Sequence, residues 1–64
     1  MNDPTDQEPG AWTAAQYRER AEQCRRMADD AKYLETRAAF LRVAQSYEEL
    51  AEIAKRREDL LSAA

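Results

Sequence analysis

A chain of 64 residues holds one small domain at most, and its composition, 44% apolar and 36% charged with one Gly and two Pro, is that of a helical protein. The formal charge of −3 is concentrated where Asp3, Asp6 and Glu8 stand, so the remainder is balanced, which argues against a strong nonspecific pull toward nucleic acid or an anionic membrane. One Cys and no His exclude an intrachain disulfide framework and the ordinary zinc-ligand spacings.

Residues 1–11 carry both prolines, the one glycine and three acids, and little that can be buried. They read as a disordered acidic tail, with residues 12–64 as the folded part, a helical hairpin. The tail does not begin with a positive stretch followed by an apolar run, and no window approaches the roughly 18 apolar residues of a membrane span. A reducing cytoplasm is therefore the expected compartment.

The first helix starts at a capping box. Thr13-Ala14-Ala15-Gln16 places a hydroxyl and an amide where each satisfies a backbone group at the helix terminus, and Trp12 and Tyr17 stand at the two positions of a hydrophobic staple. Trp12 thereby has a structural role at the start of the helix. Ala14, Tyr17, Ala21, Cys24, Ala28 and Ala31 follow at spacings of three and four, a seam of mostly small residues. Between them Arg18 with Glu22, Glu22 with Arg26, and Arg26 with Asp30 are neighbours of opposite sign on a solvated face.

A second, larger stripe runs through Phe40, Val43, Tyr47, Leu50, Ala54 and Leu61, widened by Ala44 and Ala51. At about 100° per residue its direction is turned by roughly 100° from that of the first stripe, so one unbroken helix would not present a single apolar face. The chain is expected to turn near Ala31 to Tyr33, because Asp29 and Asp30 sit badly against the negative end of a longer first helix. No Gly or Pro marks that turn, and a long bent helix is the alternative.

The predicted fold is thus all-α: an antiparallel two-helix hairpin with helices at about 13–31 and 34–61, two hairpins pairing into a four-helix bundle. Antiparallel pairing sets Cys24 beside Val43 and Ala44, Ala21 beside Tyr47, and Tyr17 beside Leu50 and Ala51, small facing large. The predicted packing residues are Trp12, Tyr17, Ala21, Cys24, Ala28, Phe40, Val43, Ala44, Tyr47, Leu50, Ala51 and Ala54. The second helix is the longer, so Leu60 and Leu61 overhang the first. Leu34, Ala38 and Leu41 lie on a side the first helix does not cover, and these five form the candidate partner interface. A second copy is the simplest partner, a dimer the favoured state.

Nothing in the sequence supports an enzyme or calls for a cofactor. There is no His, no Gly-rich phosphate loop and no nucleophile with a base beside it. Glu48, Glu49 and Glu52 share one helical segment without the loop carbonyls a hard cation needs, and read as an outer face with Glu52 beside Lys55 and Arg56. Cys24 falls on the packing seam, where a thiol fills core; a redox role would need exposure. Arg18, Arg20, Arg25 and Arg26, or Lys55, Arg56 and Arg57, would contact phosphates only by converging, and acids such as Glu58 and Asp59 accompany them. A nucleic-acid-associated regulator and a membrane-surface helix are accordingly the lesser alternatives.

The run Tyr17-Arg18-Glu19-Arg20-Ala21-Glu22-Gln23-Cys24-Arg25-Arg26-Met27-Ala28, then Arg37-Ala38-Ala39-Phe40-Leu41 and Ala44-Gln45-Ser46-Tyr47-Glu48-Glu49-Leu50-Ala51, resembles the short helical-hairpin proteins of alphaproteobacteria. The likeness spans about residues 15–55 and rests on helix heptads; where such proteins often carry Asp-Pro in the turn, this chain has Tyr33-Leu34. It implies a helical hairpin of bacterial cytoplasmic origin and carries over no assigned activity. The expected function is that of a small non-catalytic interaction or regulatory protein.

Overall fold

The structure, a computed structural model, describes residues 12–63, so the acidic tail expected over residues 1–11 lies outside the described residues. Helix α1 runs Ala14–Asp30 and helix α2 Leu34–Ala63, and the two pack antiparallel as a hairpin. The predicted bounds of 13–31 and 34–61 differ from these by two residues or fewer.

The start of α1 follows from its capping chemistry. Thr13 is extended, with φ −77° and ψ 164°, and its Oγ1 accepts from Gln16 N at 3.2 Å. Gln16 Oε1 in return accepts from Thr13 N at 2.8 Å. The Trp12 and Tyr17 rings meet at 5.5 Å between centroids, which closes the staple.

The end of α1 needs no glycine. Ala31 leaves the helix in an extended conformation, φ −71° and ψ 135°, its N–H donating to Ala28 O at 3.2 Å, and no described residue has a positive φ. What stabilises the stop comes from the other helix. The last turn of α1 contains no basic residue, and Arg37 of α2 reaches back to donate Nε to Ala28 O at 3.2 Å. A cation is thereby set against the negative end of the α1 dipole.

The N-terminus of α1 is held in the same way with the opposite charge. Ala14 N, one of the amides a helix cannot satisfy internally, donates to Glu58 Oε2 at 2.9 Å, and Arg57 Nη2 donates to Trp12 O at 3.3 Å. Both termini of the short helix are therefore capped by side chains of the long one. Arg37 and Glu58 are about 31 Å apart along α2, and α1 is about 25 Å long, so the two caps fix the register of the pair.

The buried core is narrower and smaller than the sequence suggests. Six alanines, at 14, 21, 28, 44, 51 and 54, are buried with Tyr17 and Cys24, and no larger aliphatic side chain joins them. Ala14, Tyr17, Ala51 and Ala54 form one cluster, with Trp12, Tyr47 and Leu50 packed against it. Ala21, Cys24 and Ala44 form the other, again under Tyr47. The large rings face small residues, Tyr17 against Ala51 and Ala54 and Tyr47 over Ala21, Cys24 and Ala44, as the antiparallel pairing predicts, and the alanines between them bring the backbones close.

Val43 is the packing residue the structure removes from the core, at 44% exposed. With Ala44 at the line of contact, its neighbour is turned by about 100° to the flank, and closely spaced alanines leave no room there for a branched side chain. Phe40, Tyr47 and Leu50 are half-buried at the edges of the same contact. Beyond Glu58 the long helix has no α1 alongside it, so Leu60 and Leu61 are exposed as the length difference predicts.

Candidate interaction surface

The hairpin has two open sides, and the Arg25–Glu48 ion pair across the helices marks the polar one. A groove of about 500 Å³ lies around it, floored by Ala21 and Ala51. Arg18, Glu22 and Arg25 line it from α1, and Gln45, Glu48, Glu49 and Glu52 from α2. Carboxylates outnumber guanidinium groups in that lining, which disfavours a phosphate there.

On the opposite side Trp12 lies in the angle between the helices. Its ring stacks on Tyr47 at 6.1 Å with an interplanar angle of 17°, and Tyr17 and Tyr47 are 6.3 Å apart. The Arg20 guanidinium covers the indole at 5.2 Å, and its Nη1 donates to Gln23 Oε1 at 3.3 Å. Trp12 Nε1 is buried with no hydrogen-bond partner, so stacking and staple packing, rather than its polar edge, position this ring.

The same side continues along α2 as an apolar seam. Val43, Leu50, Ile53 and Leu60 recur with Ala39, Ser46 and Arg57 at alternating spacings of four and three, so all seven share one face of α2. Ile53 is 56% and Leu60 74% exposed. This face is turned by roughly 110° from the line of contact with α1, which leaves it open. Met27 is the one exposed apolar residue of the adjoining α1 flank, which otherwise presents Gln16, Arg20 and Gln23.

All five residues of the candidate partner interface are exposed, but they do not form one surface. Leu34, Ala38 and Leu41 share a flank that becomes polar within two turns, at Gln45, Glu48 and Glu52. Leu60 belongs to the Val43 seam, about a third of a turn away, and Leu61 lies beside it. Ser46 and Arg57 interrupt the seam and hide it from a reading of hydropathy alone. Its signal was the repeat of seven on which Val43, Leu50 and Arg57, and likewise Ser46, Ile53 and Leu60, fall.

The groups with reactive or ligating chemistry are dispersed. Cys24 is buried as a free thiol between Ala21 and Ala44. Among the described residues no group of three His, Cys, Asp or Glu side chains is placed to hold a metal ion. The α1 arginines diverge: Arg20 lies over Trp12, Arg25 pairs with Glu48, and Arg26 lies 3.7 Å from Glu22. On α2, Arg57 is turned onto the Trp12 carbonyl.

Among the described residues no helix is long and apolar enough to cross a membrane. No protein-family model matches the chain, and no significant match arises with curated proteins or with solved structures.

Proposed function

We propose that this chain is a small non-catalytic interaction or regulatory protein that self-associates through its apolar helix faces, the homodimer being its working form. One observation carries the reading: the hairpin buries alanines and leaves most of its larger aliphatic side chains exposed. The buried positions are nearly all alanine, while Leu34, Ile53, Leu60 and Leu61 are each more than half exposed. A chain that folds to satisfy itself alone has the reverse distribution.

A second copy is the partner that needs no further assumption, because a twofold axis lets one apolar strip cover itself. Support for a non-catalytic role comes from the sequence lacking His and from the burial of its one thiol. A cytoplasmic site, and kinship with the helical-hairpin proteins of alphaproteobacteria, belong to the same proposal. The test is sedimentation or size-exclusion with light scattering on the full chain. We expect a dimer at micromolar concentration, and a monodisperse monomer across that range would overturn the reading.

A further inference from the structure

From the order of residues along the exposed seam, we infer that two copies pair α2 against α2 in antiparallel orientation, with Leu50 of each copy against Ile53 of the other. This rests on the self-association proposed above and adds the surface, the orientation and the register. The seam is the face of α2 on which large apolar residues run furthest, from Val43 to Leu60, three of the four exposed and Leu50 half-buried at the edge of the hairpin core, whereas the flank of Leu34 and Leu41 turns polar at Gln45. The adjoining α1 flank is polar apart from Met27, so α2 supplies the contact.

Antiparallel heptad seams can be aligned only in steps of seven residues, and those steps are not equivalent here. With Leu50 against Ile53 of the second copy, Val43 meets Leu60, and the polar interruptions Ser46 and Arg57 fall opposite one another. Every large apolar residue of the seam then covers another. At the edge of the contact Glu49 faces Arg56, twice by symmetry, and both side chains are exposed and available.

The alignments shifted toward the N-terminus lose on apolar matching, and the first of them on charge as well. One step toward the N-terminus sets Leu50 against Ser46, brings Glu49 to Glu49, and brings Arg42 to Arg56. A further step opposes Glu49 to Arg42 but leaves Leu50 on Ala39 and Ile53 on Thr36. Parallel pairing stacks Arg57 on Arg57, a like-charge contact inside an apolar seam. Arg57 Nη2 donates to Trp12 O at 3.3 Å, and the antiparallel register sets this residue opposite a serine instead of a second arginine.

The experiment is a charge-swap series on the full chain, read by sedimentation equilibrium, with circular dichroism confirming that each variant is helical. E49R is expected to weaken dimerisation by about tenfold, two attractive contacts becoming two repulsive ones. Adding R56E to the same chain is expected to restore wild-type affinity, and adding R42E instead is not. Rescue by R42E, by both or by neither overturns the register. Wild-type affinity in E49R overturns the seam while leaving self-association standing, whereas a monomeric wild type removes the parent reading as well.

Discussion

Replacing Glu58 by Ala tests whether the long helix stabilises the short one through its termini. The carboxylate accepts from Ala14 N at 2.9 Å in a half-buried setting, 44 residues away in sequence. A hydrogen bond to a charged group contributes about 1.5–3 kcal/mol, and a negative charge at a helix N-terminus about 0.3–1 kcal/mol. Solvent at the site lowers both contributions, and the Thr13 capping box, which satisfies other amides, survives the change. The expected net loss is about 1–2 kcal/mol, which for a chain of this size lowers Tm by about 5–10 °C. Melting is followed by circular dichroism at fixed protein concentration, because association adds a concentration-dependent term. Glu58→Gln keeps an acceptor oxygen without the charge and is expected to recover about half of the loss. Melting of Glu58→Ala within 1–2 °C of wild type would refute the idea that α2 caps α1.

Three further outcomes follow from the packing. Ala51→Leu forces an isobutyl group into a contact where the alanine is 2% exposed, and is expected to destabilise the hairpin by about 1–3 kcal/mol in urea unfolding; an unchanged midpoint would mean that the helices are not held as close as the alanine ladder implies. Cys24 should react with a maleimide far more slowly in native buffer than in denaturant, since it lies beneath Ala44 and Tyr47, and equal rates would show that the seam opens freely. Ile53→Glu should leave helicity intact and weaken association by more than a hundredfold, because burying the side chain is worth about 1.5–3 kcal/mol at each of two symmetric contacts; an undisturbed dimer would place the interface elsewhere.

The path of the chain was readable in advance where local chemistry decided it. Thr13 and Gln16 set the start of α1, and the change in direction of the apolar stripe between Ala28 and Phe40 required a turn. Cys24, Ala44, Tyr17 and Ala51 lie in the predicted clusters for the same reason. Val43 did not, because hydropathy favours the bulkier of two adjacent apolar residues, whereas close helix approach favours the smaller, and Ala44 won. Glu58 and Arg37 were not readable as caps at all. Each looks like one more charge on a solvated face, and the partner that gives it a role is supplied by the fold. Ile53 falls off the predicted stripe that Ala51 and Ala54 define beside it, and its companions on the seam, Leu50 and Leu60, are three and seven residues away.

The pair of caps makes α2 a ruler against which α1 is measured. One residue inserted between Arg37 and Glu58 would swing the distal carboxylate by about 100° and carry it about 1.5 Å along the axis, away from the amide it serves. A full added heptad would restore its direction and overshoot by about 10 Å, two turns past the end of the shorter rod. Lengthening that interval without loss would thus demand a matching extension of α1. Past Glu58 no such accounting applies, and residues can be added or removed there without unseating either terminus of the first helix.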